Sequence, residues 1–393
     1  MKTRIGTGIV RLISGVALGT ALGAAAFAEV LKIGMVVTLS GPPAALGQQI
    51  VDGFQLALDQ KEGALGGRKV ELIVEDDELK PDVALLKATS LVERDEVDFV
   101  VGTVFSNMLQ AIFKPVVKSG TFLISPNAGP STFAGKNCHP YFFATSYQNN
   151  QNAEVAGMIA NEEGFEKVFA MVPNYQAGRD NIAGFGETFE GTVTNEVFTP
   201  LGHQDFSAEL AQISTSGADA LFTFMPGGMG VRLVKQFETS GLGESMKFMS
   251  VFTTDETTLP GQKDAAVGFL SAGTWAPDME NEANVAFVTA FEEKYGYIPG
   301  SYAMQAYDTA MLIDSAVAGT DGDLSDRDAV RAALRAADFT SVRGDFSFSN
   351  NHYPVQDFHM LKVVKRDDGK FHTSFVRTVV EDYADSFHQD CKM

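Results

Sequence analysis

DFVVGTVFSNMLQAIFKPVVKSGTFLISPNAG, residues 98–129, is the stretch that decides the fold. Asp98 to Val101 is a short apolar run suited to a buried strand. Gly102 to Asn107 turns the chain, and Met108 to Val117 spaces its apolar side chains as a helix packed on a sheet does. Thr121 to Ser125 is a second strand and Pro126 to Gly129 a loop, so the whole is a βαβ unit. In an open parallel sheet, ligands sit outside the carboxyl ends of the strands, so Gly102 to Asn107 and Pro126 to Gly129 face one crevice. Ser106 and Asn107 fall at the helix start, where free backbone N–H groups, partial positive charge and a hydroxyl together suit a carboxylate. Ser106 acting only as an N-cap is the plainer alternative.

Outward from this unit, the ends of the chain set its compartment. Met1 to Ala28 carries Lys2, Arg4 and Arg11, an apolar and small-residue run from Leu12 to Ala25, then Ala26-Phe27-Ala28. A positive start, a short apolar centre and an Ala-x-Ala end predict a secretory signal peptide cleaved after Ala28. No cysteine lies near that point, so a lipid anchor is not expected, and no later stretch approaches the ~20 apolar residues of a membrane span. The expected product is soluble and periplasmic. The chain has 30 Lys+Arg against 50 Asp+Glu, a net charge of -20. Loss of the signal's three basic residues makes this more negative still, which argues against nucleic acid as a partner. Cys138 and Cys391 are the only cysteines. In an oxidising compartment one disulfide is the simplest outcome, with free thiols or a bridge between molecules as alternatives.

From Leu31 to Ser125 strands and helices alternate as in an open, doubly wound α/β sheet. Leu31 to Thr38, Val70 to Val74, and the two strands already named are joined by helices at Gly47 to Gln60, Pro81 to Val92, and Met108 to Val117. After Cys138 the pattern starts again. The polar run Gln148 to Asn152 reads as a crossing between lobes. Helices at Glu154 to Glu163, Arg179 to Phe189, Phe206 to Ile213, and from Gly227 to Ser240 separate strands at Lys167 to Val172, Glu196 to Phe198, Ala220 to Phe224, and Lys247 to Val251. Three further helices follow Trp275, and extended runs near Phe346 and from Phe358 to Val364 return the chain to one lobe or the other. The expected division is residues 29–146 with 276–355 in lobe 1, and 147–275 with 356–393 in lobe 2, leaving a cleft suited to a ligand.

Signs of catalysis are poor, so the chain is not expected to be an enzyme. The histidines at 139, 203, 352, 359, 372 and 388 show no metal-ligand spacing, and no GxSxG nucleophile elbow is present. GPSTFAGK, residues 129–136, has one residue too many between its glycines for a phosphate loop, and Asn137 stands where Ser or Thr belongs. The acids Glu75 to Glu78 read as a solvated turn and helix start. No metal or cofactor is expected.

The segments KIGMVVTLSGPPAALGQQIVDGFQLALDQ, VVGTVFSNMLQA and FLISPNAG, behind a signal peptide, resemble the solute-binding proteins of ABC importers, in the leucine/isoleucine/valine-binding (type I) family. NYQAGRDNIAGF, DFSAELAQI, FMPGGMGVRLVKQF, NHYPVQDF and CKM resemble a branch that binds aromatic carboxylates such as hydroxybenzoates. The resemblance implies two Rossmann-like lobes with parallel sheets joined by three strands, which close on a ligand and dock on a membrane permease. It places the ligand carboxylate at Ser106 and at Asn127, Ala128 and Gly129. Leu46 and Phe105 match the first-lobe wall, and Tyr302 an aromatic position of the side-chain pocket.

Two positions depart from the family pattern. Ala177 holds a place that is often aromatic, with Tyr175 two residues earlier as a substitute. Phe252 stands where amino-acid binders of the family carry an acid for the ligand's ammonium. A buried ammonium without a counter-charge is costly, so either Asp255 supplies the charge or the ligand has no ammonium; the second is favoured. A ring among Phe105, Tyr175, Phe252 and Tyr302, with its carboxylate at Ser106 and Asn127, fits these residues. Branched-chain amino acid binding on the same scaffold, and a ligand-sensing subunit of a receptor, are the other readings. A monomer is expected.

Overall fold

The structure, a computed structural model, describes Met1 and residues 30–393; apart from Met1 the expected signal peptide lies outside the described residues. Strands β1 (Leu31–Val37), β2 (Ala64–Leu65), β3 (Arg68–Asp76), β4 (Phe99–Gly102), β5 (Phe122–Ser125) and β6 (Phe142–Ala144) form one sheet, ordered β2-β3-β1-β4-β5-β6. β1 is parallel to both β3 and β4, with Met35 opposite Val74 on one side and Val101 on the other. β4 and β5 are buried throughout, as their unbroken apolar runs require of strands covered on both faces. Helices α1 (Ala44–Gln60), α2 (Pro81–Glu93) and α3 (Ser106–Lys118) connect these strands. α3 turns Met108, Leu109, Ile112, Val116 and Val117 inward, the spacing that marked it as an amphipathic helix.

Helices α4 (Asn149–Glu162), α5 (Gln176–Thr188), α6 (Ser207–Thr215), α7 (Gly228–Ser240) and α8 (Leu259–Gln262) belong with a second sheet. Its strands are β7 (Lys167–Pro173), β8 (Thr192–Thr199), β9 (Ala220–Thr223), β10 (Lys247–Ser250), β11 (Leu270–Gly273), β12 (Ser347–Phe348), β13 (Pro354–Lys365) and β14 (Phe371–Tyr383). Their order is β12-β13-β11-β10-β9-β7-β8, with β14 on β13. This sheet is mixed, because β13 runs antiparallel to β11 and β14 antiparallel to β13, and in the first sheet β2 runs antiparallel to β3. The expectation of parallel sheets is corrected at those edges. The β2–β3 and β13–β14 connections are short turns, which permit only antiparallel neighbours, whereas β13 reaches β11 only after the chain has returned through three helices, residues 282–336. Helices α9 (Glu282–Tyr295), α10 (Ser301–Gly319) and α11 (Arg327–Ala336) return to the first lobe, where α10 packs along α1.

Two local expectations change. Gln148 to Asn152 is buried, and all but Gln148 is helix. Gln148 caps α4 by accepting from Asn150 N, while the Gln151 side chain accepts from Gln148 N. Such a reciprocal cap makes a helix start out of a run too polar to look like one. β14 was not expected. Most of its residues are half-buried or exposed, so its alternation is weak, although Asp368-Gly369 in the turn before it is a hairpin signal.

The chain passes between the lobes at residues 145–148, 274–281 and 337–353. Arg343 ties the first of these passages to the third. Its guanidinium donates to Asp308 of α10, to the carbonyls of Thr145 and Ser146, and to Gln356 Oε1 at 2.7 Å. Asp308 also accepts from Ser341 Oγ and Val342 N. Both charged side chains are buried. Burial raises the Asp308 carboxyl above its ordinary range, and Arg343 pulls it back.

Cys138 and Cys391 form a disulfide, 253 residues apart in sequence. The expected division put 356–393 with the second lobe. β13 and most of β14 do lie in that sheet, but the last residues lie against the first lobe's loop and the third passage. Asn350 donates to the carbonyls of His388 and Cys391, and Asn351 to Asp385 and to the Ala134 carbonyl. Replacing both cysteines by alanine is expected to cost about 2–4 kcal/mol in urea unfolding relative to the oxidised protein. Equal midpoints would show that the tail's packing alone holds it.

Candidate functional site

A cavity lies between the lobes, lined by residues just past the carboxyl ends of strands from both sheets. Val104, Phe105 and Ser106 follow β4, Asn127 and Ala128 follow β5, and Tyr147 and Asn149 follow β6. From the second lobe come Tyr175 and Ala177 after β7, Phe224 and Pro226 after β9, and Val251 and Phe252 after β10. Asn181 of α5 and Tyr302 of α10 complete it.

Aromatic rings bridge the lobes in two groups. Phe105 lies 6.0 Å from Tyr175, which stacks on Phe224 at 6.2 Å; Tyr147 stacks on Phe252 at 5.2 Å, and Phe252 lies 5.8 Å from Tyr302. Phe252 has φ +52°, a conformation unfavourable for a bulky residue and held here by its neighbours. Burial raises the pKa of Tyr147, Tyr175 and Tyr302, so all three remain neutral phenols. Tyr147 donates to Asn127 Oδ1 at 3.1 Å, whereas the hydroxyls of Tyr175 and Tyr302 have no partner among the described residues.

The electrostatics come from backbone. α3, α4, α5, α7 and α10 all begin at or within two residues of a lining residue, so five helix N-termini converge on the cavity. Among the described residues, no Asp, Glu, Lys, Arg or His lines it. Aligned helix starts with no fixed counter-charge favour an anion and disfavour a cation. Ser106 is the first residue of α3 and its side chain caps nothing, which sets aside the N-cap alternative. Its Oγ accepts from Asn149 Nδ2 at 3.1 Å, leaving its own hydroxyl hydrogen to donate.

Of the residues expected at the site, Phe105, Ser106, Asn127, Ala128, Tyr175, Phe252 and Tyr302 line the cavity, while Leu46, Gly129 and Asp255 do not. Gly129 N donates to Asn149 Oδ1, and Ala128 N to the Thr103 carbonyl. Gly129 is needed for close approach, since a Cβ there would lie 1.9 Å from the Tyr147 carbonyl oxygen. Leu46 is buried in the core instead, with its side chain against Gly227. Gly227, at φ +67°, and Gly228 let the loop Pro42 to Leu46 seat on the start of α7; a Cβ on Gly228 would be 3.0 Å from Pro42 Cβ. Asp255 is turned into its own loop, where Oδ1 accepts from the backbone of Thr257 and Thr258. Tyr147, Asn149, Asn181 and Phe224 were not expected. They are brought in by the crossing and by the second lobe.

A polar seam beside the cavity joins the lobes. Asp180 of α5 accepts from Ser131 N and Oγ, at 3.1 and 2.7 Å, from Asn149 Nδ2 at 2.9 Å, and from Gln176 Nε2 at 2.8 Å. On another part of the seam, burial pushes Asp255 up to about 6, and burial followed by Asp255 pushes Glu256 up to about 7. A carboxyl whose folded pKa is raised keeps its proton when the unfolded chain has lost it. Its contribution is therefore intact below the unfolded value and is lost as pH rises through the folded one. Between about pH 4.5 and 7 the melting temperature is expected to fall with rising pH, and Glu256→Gln to flatten that fall. An unchanged slope in the variant would remove Glu256 from the account.

The family model described as periplasmic binding protein matches residues 30–370. A Leu/Ile/Val-binding protein homolog 6 from Brucella melitensis is 27% identical over 368 residues, covering 90% of this chain and 93% of its own. The solute-binding protein of an ABC transporter from R. palustris in complex with benzoate is 30% identical with a TM-score of 0.87, covering 93% of this chain and 100% of that one. Another R. palustris solute-binding protein, in complex with 4-hydroxybenzoate, is 28% identical with a TM-score of 0.85, covering 90% and 98%. The chain belongs to the periplasmic binding protein family, among the leucine/isoleucine/valine-type solute-binding proteins of ABC transporters.

Proposed function

We propose that this protein captures a small aromatic carboxylate outside the cytoplasm and delivers it to the permease of an ABC importer. The observation that carries this reading is the convergence of five helix N-termini on an aromatic cavity without an ionised side chain. Ser106 and the start of α3 hold the carboxylate, and the ring lies among Phe105, Tyr175, Phe224, Phe252 and Tyr302. The lobes close on the ligand by hinge motion, and contacts made only in the closed form supply the energy. No bond is made or broken. The secreted protein begins at Glu29 and acts as a monomer.

The names of the curated relatives favour a second reading, a branched-chain amino acid as ligand. Asp255 Oδ2 is buried without a partner and is the nearest thing to a counter-charge, but Asp255 does not line the cavity. A thermal-shift screen of the chain from Glu29 onward separates the two, since a ligand raises the melting temperature of the state that it binds. Shifts with benzoate-like acids and none with leucine, isoleucine or valine are expected. The reverse pattern overturns the aromatic-acid reading.

A further inference from the structure

The polar atoms of the cavity go beyond calling for a carboxylate. Asn181 is 3% exposed, and its Nδ2 donates to the Ala177 carbonyl of the same helix at 2.8 Å. That bond fixes which end of the amide is oxygen, because the flipped amide would set two acceptors face to face. Its Oδ1 is left buried at the cavity without a donor. An unmet buried acceptor is costly, whereas an apolar side chain there would cost nothing of the kind. We infer that Asn181 accepts a hydrogen bond from the ligand, so that the site selects a hydroxylated aromatic acid over the unsubstituted one.

This rests on the aromatic-carboxylate reading and narrows it. Three kinds of donor fit an amide oxygen, and the cavity discriminates among them. An ammonium would be buried beside five helix N-termini with no carboxylate among the lining residues. A ring amine donates but accepts poorly. A phenolic hydroxyl stays neutral, donates to Asn181, and accepts from Tyr175 or Tyr302, whose hydroxyls also lack partners among the described residues. Asn181 stands on α5 of the second lobe and Ser106 on α3 of the first, so the two polar ends of one such ligand would engage both lobes.

Isothermal titration of the mature chain with benzoate, the 3- and 4-hydroxybenzoates and the 3- and 4-methylbenzoates tests this. Each methyl compound matches its hydroxyl partner in size but carries no donor. One hydroxy acid is expected to bind about ten- to hundredfold more tightly than its methyl counterpart. Asn181→Leu is expected to bring that ratio close to one while methylbenzoate binding changes only a few-fold. Equal or tighter binding of the methyl compounds by the wild-type protein overturns the inference and leaves the aromatic-acid reading standing. Silence of all five compounds overturns both. The wild-type ratio needs no variant, so misfolding of Asn181→Leu would not protect the inference.

Discussion

Arg343→Met is expected to lower unfolding stability by about 3–5 kcal/mol, the usual result of stranding one member of a buried ion pair. The variant leaves the Asp308 carboxylate fully buried and removes donors from the carbonyls of Thr145 and Ser146 and from Gln356. These groups belong to α10, to the first passage between the lobes and to β13, and Arg343 itself to the third passage, so the loss falls on the hinge. Urea unfolding followed by circular dichroism measures it. The double variant Asp308→Leu with Arg343→Met should recover much of the loss, because apolar groups of similar size need no partner. A single variant within about 1 kcal/mol of wild type would show that water reaches Asp308 and that the pair is not the hub described.

The second large effect is on binding. Asp180→Ala is expected to weaken ligand affinity about a hundredfold, chiefly through faster release, with a smaller effect on the unliganded protein. Asp180 accepts from Ser131 of the first lobe as well as from Asn149 and Gln176, and hydrogen bonds to a charged group contribute about 1.5–3 kcal/mol each. Bonds that form only when the lobes meet set the closed population, and the apparent dissociation constant rises as that population falls. Asp180→Asn keeps an acceptor and should be milder. Stopped-flow dissociation rates measure this, and an unchanged rate in Asp180→Ala would mean that Ser131 and Asp180 are in contact in the open form as well.

The βαβ unit at residues 98–129 was legible because its strands are unbroken apolar runs and α3 repeats its apolar residues at helical spacing. The same logic located Phe105, Ser106 and Asn127 at the cavity, since residues after strand ends in such a sheet share one edge. It reached no further where a residue's place depends on the meeting of lobes. Asn149 and Asn181 sit on helices, and nothing in their spacing says which neighbour will face them. Asp255 was the candidate counter-charge for a ligand ammonium, yet its Oδ1 is claimed by Thr257 and Thr258 a few residues on. Local hydrogen bonds of that kind override position. The antiparallel pairing of β13 with β14 was missed because it depends on the turn at Asp368-Gly369 and not on the apolar pattern.

The bond between Cys138 and Cys391 joins a tail that leaves the second lobe to a loop of the first, and so turns most of the chain into a closed ring. The three passages between the lobes all lie inside that ring. A protease that cuts one exposed loop anywhere between the two cysteines therefore leaves a single covalent molecule, and the fragments part only after reduction. In such a molecule, a cut to one passage of the hinge is not a separation of the lobes.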